Sequence, residues 1–185
     1  ISWPIDALVP GDVYVADVYG KIVQGPVIGD NLAAAIYANS GNGVVHDAAV
    51  RDLEGIEELE DFTSFVRGWH PSFASPTIML SGMNCPVRIG TATCLPGDVV
   101  LGKREGVIFI PPHLAEKVVT TAEVINLRDI FGKERLSTGT YTPGQIDTRW
   151  IDEIESDFSR WLEDHIDELP VPKEAVRELL KERTW

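Results

Sequence analysis

A helix between two glycine turns, followed by a buried strand, most constrains how this chain can fold. From Gly29 to Asp52 the sequence reads G-D-N-L-A-A-A-I-Y-A-N-S-G-N-G-V-V-H-D-A-A-V-R-D. The alanine-rich run from Leu32 to Ala38 is typical of a helix, Asp30 and Asn31 are good N-caps, and the second glycine turn ends it. The apolar pair Val44-Val45 then predicts a buried strand. The unit predicts an α/β fold.

Charged side chains follow the carboxyl end of that strand, where ligands bind in open α/β sheets. Arg51 offers a guanidinium for two-pronged contact with a carboxylate or an enolate, and Asp30 and Asp52 offer carboxylates for a hard divalent cation. The start of the helix adds unpaired backbone N–H groups for an anion. This chemistry suits a small oxo-acid. The alternative is that Arg51 and Asp52 cap the next helix and pair with each other on the surface.

Several blocks, in order, resemble the family of regulator of ribonuclease activity A. They are a Gly-Asp at Asp30, twenty further residues before Arg51-Asp52, the segment Pro96–Val100, and the segment Glu105–Pro111. The family includes the class II pyruvate aldolases that act on 4-hydroxy-4-methyl-2-oxoglutarate. The likeness covers about Val9 to Glu123. It implies a swivelling β/β/α-type layered core with short strands, and trimers or multiples of trimers.

The resemblance also implies roles for individual residues. Asp52 would hold a magnesium or manganese ion, Asp30 would touch that ion through water, and a metal-bound water held near Asp30 is our candidate base. Arg51 would bind the oxo-acid end of the substrate and stabilise the enolate. Backbone groups at the start of the helix would help to bind it: Gly29, Asn31 and Leu32.

Two functions follow from these roles. The first is a metal-dependent lyase that cleaves a 4-hydroxy-2-oxo acid or decarboxylates oxaloacetate through a pyruvate enolate. Aldolase members often carry an acidic residue three positions after Asp52, where this chain has Gly55, which tilts the prediction toward decarboxylase-like or broad activity. The second is a non-enzymatic regulator that binds a ribonuclease, its acidic surface docking on basic segments of the enzyme.

The net charge and the lack of long apolar runs limit the classes of molecule that this chain can bind. The formal net charge of −13 over 185 residues argues against nucleic acid or an anionic membrane as a direct partner. No apolar run approaches the roughly 18 residues of a transmembrane helix, and the N-terminus lacks the pattern of a signal peptide, so we expect a cytoplasmic protein. Cys85 and Cys94 are predicted to be buried, reduced thiols. His46, a strand residue near the proposed site, is predicted to be satisfied by a neighbour.

The chain divides by composition into two parts. Residues 1–136 form the predicted core, which we expect to lack an N-terminal segment that family members carry. Residues 137–185 form a loop and helical extension, in which Asp147 is predicted to cap a helix with a two-tryptophan stripe, before a last helix over Lys173–Glu182. That stripe packs either on its own core or against a neighbouring subunit.

A short motif occurs twice. Pro10-Gly11-Asp12-Val13 recurs as Pro96-Gly97-Asp98-Val99, each followed at the same distance by a glycine. We expect two equivalent strand-turn-strand units in one sheet system. The alternative is that Pro-Gly-Asp makes a good turn in two places.

Overall fold

The computed structural model describes residues 2–182, with the backbone alone at 179 and 182. The chain divides after His113 into two compact units, and helix α4 continues through that point. Within residues 2–182, no helix combines the length and the apolar character needed to cross a bilayer. The elements are α1 (Trp3–Asp6), β1 (Tyr14–Lys21), α2 (Asp30–Ser40), β2 (Val44–Val50), α3 (Leu53–Glu57), β3 (Ser64–Phe65), β4 (Gly68–Trp69), β5 (Val87–Ile89), β6 (Ala92–Cys94), β7 (Val99–Lys103), β8 (Gly106–Ile110), α4 (Pro112–Ser137), α5 (Pro143–Ile146), α6 (Asp152–His165) and α7 (Lys173–Glu182).

Strand β2 is the centre of the first unit. It pairs in parallel with β1 on one side and with β3 and β4 on the other, and all seven of its residues are buried. A strand covered on both faces needs a continuous run of small or apolar residues, which explains why Val44–Val50 departs from strict alternation. The buried strand that we predicted at Val44-Val45 is confirmed and extends to Val50.

Helix α2 packs on the sheet through a shared apolar cluster with β2 and α3. The helix ends at Gly41, whose φ of 71° is the left-handed conformation that glycine adopts without a steric cost. Its start differs from the prediction: Gly29 occupies the N-cap position, and Asp30 is the first helical residue. The buried members of the cluster are Ile5, Ile28, Ala33, Ile36, Val44, Val50 and Ile56.

Two antiparallel hairpins complete this unit, β5 with β6 and β7 with β8. The second contacts β3 at a glycine, since a Cβ atom on Gly102 would lie 2.4 Å from the Phe65 ring. Cys94 on β6 is buried as predicted, whereas Cys85 is exposed. Both thiols are free, as predicted. The prediction that Cys85 is buried was wrong.

The repeated Pro-Gly-Asp motif forms the same turn in two different settings. The Asp12 carboxylate accepts a hydrogen bond from the Val9 N–H at 2.9 Å, and the Asp98 carboxylate accepts one from the Leu95 N–H at 2.8 Å. The first turn leads into the parallel sheet and the second into a separate two-stranded sheet. The prediction of equivalent units in one sheet system was wrong, because the motif encodes only the local turn.

The second unit is helical and has its own core. Its helix α6 begins at Asp152 with Ile151 as N-cap, so the predicted cap at Asp147 was wrong; Asp147 instead ends α5. Helix α7 was predicted with the bounds observed. The two-tryptophan stripe packs within this unit, as the first of our two alternatives states. The buried core consists of Leu127, Phe131, Trp150, Ile154, Phe158, Trp161, Leu162, Val171 and Val176.

Candidate active site

The candidate site forms where β2 ends. The Arg51 N–H donates to the Ile28 carbonyl at 3.2 Å, which ties the exit of the strand to the segment that leads into α2. Asp52 then adopts a left-handed conformation with φ 56° and ψ 48°, and α3 begins at the next residue. A left-handed backbone is uncommon for a non-glycine residue and turns the chain sharply, so the Asp52 side chain stays at the strand end.

Two glycines allow the segments of the site to touch. A Cβ atom on Gly29 would lie 2.2 Å from Asp52 Oδ2 and 3.2 Å from Arg51 Cζ. A Cβ atom on Gly55 would lie 2.7 Å from Asp30 Oδ2. Because Gly29 directly precedes Asp30, these two contacts bring Asp30, Arg51 and Asp52 together beside the start of α2.

The Arg51–Asp52 pair is accessible to solvent. Arg51 Nη1 lies 2.8 Å from Asp52 Oδ2, and the two side chains are 40% and 39% exposed. An ion pair with this exposure contributes little to stability, so both groups can bind a ligand at small cost. Asp52 holds the N-cap position of α3, as our alternative states, but its side chain makes no capping hydrogen bond.

The backbone groups at the start of α2 are not all available. The Asn31 N–H, one of the three backbone groups predicted to bind substrate, already donates to Asp30 Oδ1 at 2.7 Å. It is therefore not available to a ligand in this conformation. The Gly29 carbonyl accepts the first helical bond from the Ala33 N–H at 2.9 Å. Gly29 and Leu32 remain the predicted backbone contacts.

A divalent ion would have few protein ligands here. Among the described residues, no group of three or more His, Cys, Asp or Glu side chains is arranged to hold a metal. Two neighbouring carboxylates on an open surface are the donor set of a hydrated Mg²⁺ ion, which keeps several waters and binds through one or two carboxylates plus substrate. The residues present therefore fit magnesium or manganese at Asp52 and Asp30, and do not fit a closed zinc site.

His46 differs from its prediction. It is fully buried on β2 with the Tyr14 ring edge-on at 5.0 Å, and neither ring nitrogen has a hydrogen-bond partner among the described residues. Burial lowers the pKa of His46 to about 3, so the ring is neutral and belongs to the core. The next residue, Asp47, is also buried and binds the Arg67 guanidinium and the Gly90 N–H. This ion pair could not be predicted from the sequence, because Asp47 and Arg67 are 20 residues apart without a motif.

The comparison with known proteins identifies the family. Residues 3–109 match the RraA-like family, described as Aldolase/RraA, and this segment is more than half of the chain. The chain belongs to the RraA-like family. The resemblance to the family of regulator of ribonuclease activity A, seen in the sequence blocks, is thus confirmed.

Curated relatives of this family member match over part of their length. A protein of Halalkalibacterium halodurans named "Putative 4-hydroxy-4-methyl-2-oxoglutarate aldolase" is 32% identical over 114 residues, which cover 62% of this chain and 53% of that protein. Protein DlpA of Legionella pneumophila is 30% identical over 144 residues, which cover 74% of this chain and 22% of DlpA. The chain thus spans about half the length of the first of these relatives and less of the second.

Solved structures share the RraA-like fold. An uncharacterized protein from Pseudomonas syringae pv. tomato superposes with a TM-score of 0.69 at 28% identity, covering 77% of this chain and 66% of that one. Streptomyces coelicolor RraAS2, described as an unusual member of the RNase ES inhibitor RraA protein family, gives a TM-score of 0.65 at 28% identity, covering 70% and 65%. The predicted α/β fold class, with its layered core and C-terminal helices, is confirmed.

Proposed function

We propose that this RraA-like chain is a divalent-metal-dependent lyase that cleaves or decarboxylates a small 2-oxo acid. The observation that supports this most strongly is the convergence of Asp30, Arg51 and Asp52 at the start of α2, made possible by Gly29 and Gly55. A chain that only binds another protein has no physical need for an accessible guanidinium–carboxylate pair held beside the start of a helix. The name of the H. halodurans relative agrees with an aldolase.

Each residue has a role in this proposal. Asp52 would hold a Mg²⁺ or Mn²⁺ ion directly and Asp30 would hold it through water; when bound, the ion supplies positive charge for the oxo-carboxylate end of the substrate. Arg51 binds that end with its planar guanidinium and stabilises the negative charge that develops when the carbon–carbon bond breaks. In retro-aldol cleavage, a water held near Asp30 passes the hydroxyl proton to the Asp30 carboxylate, whereas decarboxylation needs no base.

A direct assay tests the proposal. Pyruvate release from 4-hydroxy-2-oxo acids and from oxaloacetate is measured with Mg²⁺, with EDTA, and for Asp52→Asn, with oxaloacetate blanks that lack protein. The control is Glu60→Gln, which changes an exposed carboxylate outside the site. We expect EDTA and Asp52→Asn to abolish release and Glu60→Gln to leave it unchanged. Release that is insensitive to both treatments would contradict the proposal.

The second candidate function is a regulator that binds a ribonuclease. It is supported by the similarity to S. coelicolor RraAS2 and by the net charge of −13. An acidic surface associates faster with a basic partner at low salt. Salt-dependent binding to a ribonuclease by both the unaltered chain and Asp52→Asn, without pyruvate release, would favour this candidate. Under either function, assembly into trimers and a cytoplasmic location stay predictions.

A further inference from the structure

A histidine outside the Asp30–Arg51–Asp52 group lies at the same edge of the sheet. Strand β4 pairs in parallel with β2, with Ala49 opposite Gly68 and Val50 opposite Trp69. Continuing this register by one residue sets His70 beside Arg51. The His70 N–H donates to the Val50 carbonyl at 2.9 Å, which holds His70 at the strand end.

The surroundings of the His70 ring determine which nitrogen carries the proton. The Ser72 N–H lies 3.2 Å from His70 Nδ1, and Ser72 Oγ lies 2.8 Å from the same atom. A backbone N–H can only donate, so Nδ1 accepts and has no proton. Ser72 Oγ accepts from the Gln24 N–H at 2.7 Å, which leaves its own hydrogen to point at Nδ1. The neutral ring therefore carries its proton on Nε2.

The Nε2–H group is free to bind a ligand. Across residues 2–182, Nε2 has no hydrogen-bond partner, and His70 is half-buried. The loop that carries it is anchored to the segment before Gly29, because the Ala74 N–H donates to the Pro26 carbonyl at 3.0 Å. Thr77 Oγ1 donates to the Gln24 carbonyl at 3.3 Å and fixes the loop further. A donor held on a rigid support loses little entropy on binding.

We propose that His70 is a specificity-determining residue whose Nε2–H donates a hydrogen bond to a second acidic group of the substrate. This inference rests on the proposed function, which sets the oxo-carboxylate end at Arg51. An N–H donor on a residue that lies next to Arg51 at the strand end favours an anionic oxygen as its acceptor. Because Nε2 has no free lone pair, His70 serves binding and does not take the hydroxyl proton.

Two substitutions at His70 separate the loss of the Nε2–H donor from the loss of the imidazole ring. The amide nitrogen of glutamine reaches the position of Nε2, whereas asparagine reaches only the position of Nδ1. The probes are 2-oxoglutarate, which has a distal carboxylate, and pyruvate, which has none, each titrated calorimetrically with Mg²⁺ into the complete chain. A hydrogen bond to a charged group contributes about 1.5–3 kcal/mol, or roughly 10- to 100-fold in the dissociation constant.

We therefore expect His70→Asn to weaken 2-oxoglutarate binding by about tenfold or more and to leave pyruvate binding unchanged. His70→Gln should retain most of the affinity for 2-oxoglutarate. Ser72→Ala removes the hydroxyl that orients the ring, so it should weaken 2-oxoglutarate binding selectively and by less. Equal losses for both probes, or no loss for either, would overturn the proposal. Melting temperatures of all variants verify that they fold.

The same titrations distinguish a failure of the His70 role from a failure of the proposed lyase function. They need no turnover, so selective binding that depends on His70 in a chain that releases no pyruvate would remove the lyase function alone. Pyruvate release with His70→Asn fully active and fully selective would remove this inference alone. An unaltered chain that binds neither probe would overturn both.

Discussion

The Asp30 side chain packs directly on the backbone of Gly55, so closely that a Cβ atom at position 55 would stand 2.7 Å from Asp30 Oδ2. Because of this contact, a residue larger than glycine does not fit at position 55 of this chain without a shift of its surroundings. Any side chain there would occupy the space of the Asp30 carboxylate. Gly55 and Asp30 are thus coupled: the Asp30 side chain, at the start of α2, fills the space that a side chain at position 55 of α3 would need.

Gly55→Ala should reduce activity and lower the melting temperature, because the added methyl group would also lie 2.7 Å from Asp30 Cβ, which moves only together with the backbone of α2. The added methyl group must displace the Asp30 carboxylate, and misplacement of a catalytic group by about 1 Å costs on the order of 100-fold in rate. Alanine also favours a helix over glycine by about 1 kcal/mol, which offsets part of the strain. The measurements are Mg²⁺-dependent pyruvate release and the melting temperature.

Gly144→Ala is the matched control for this substitution. Gly144 also lies in a short helix, α5, and a Cβ atom there would meet nothing within 4 Å. We expect unchanged activity for this variant. Full activity of Gly55→Ala would show that the position of Asp30 does not matter to the reaction.

Arg51→Lys should impair substrate binding and leave stability unchanged. Lysine keeps the positive charge but loses the planar pair of donors that a guanidinium offers to a carboxylate. The pair with Asp52 is 40% and 39% exposed, so its loss changes the free energy of unfolding by less than about 1 kcal/mol. We expect kcat/KM to fall about tenfold or more, mainly through KM. Arg88→Lys, at an exposed position on β5, is the control, and equal effects of the two variants would contradict the role of Arg51.

Much of the site could be predicted from sequence because its parts are local. Helix α2, the buried strand β2 and the Arg51-Asp52 pair follow from spacing within 24 residues, and the family blocks fix their order. The contacts of Gly29 with Asp52 and of Gly55 with Asp30 could not be predicted in this way. A glycine in a sequence indicates freedom of the backbone, but it does not show which distant side chain will occupy the space of its missing Cβ atom.

The buried polar residues of β2 show the other limit of sequence analysis. His46 and Asp47 are neighbours on one strand, yet the first packs unpaired in an apolar core and the second binds Arg67. Alternation along a strand predicts that they face opposite sides of the sheet. Which side provides a partner depends on long-range packing.

Stability should fall in acid because of His46. Burial lowers its pKa to about 3 in the folded state, from about 6.5 in an unfolded chain, so below pH 6.5 the unfolded state takes up one more proton. His46 therefore removes stability as pH falls from 6.5 toward 3, by up to about 1.4 kcal/mol per pH unit. His46→Leu lacks this proton and leaves no unpaired nitrogen. Its unfolding free energy should depend less on pH over this range.

Urea unfolding of both proteins between pH 7 and pH 4 measures this effect. Since carboxylates also titrate in this window, the quantity of interest is the difference between the two curves. His113→Gln, at an exposed position, is the control for the loss of a histidine side chain. A constant difference between His46→Leu and the unaltered protein would contradict the prediction.

The helical unit should depend on a largely buried ion pair. Arg135 Nε and Nη2 donate to the two oxygens of Asp157 at 2.8 and 3.1 Å, and the Arg135 hydrogen bond is the main reason that the pKa of Asp157 is lowered. Both side chains are under 20% exposed. Asp157→Ala removes both of these hydrogen bonds while Arg135 keeps its pair with Glu134 at 2.6 Å, so the substitution should cost about 1.5–3 kcal/mol. Arg160 also faces Asp157, at 3.8 Å, but it is 73% exposed, so Arg160→Ala should cost under about 1 kcal/mol. Chemical denaturation of both variants tests the contrast, and similar losses would show that burial does not decide the strength of this pair.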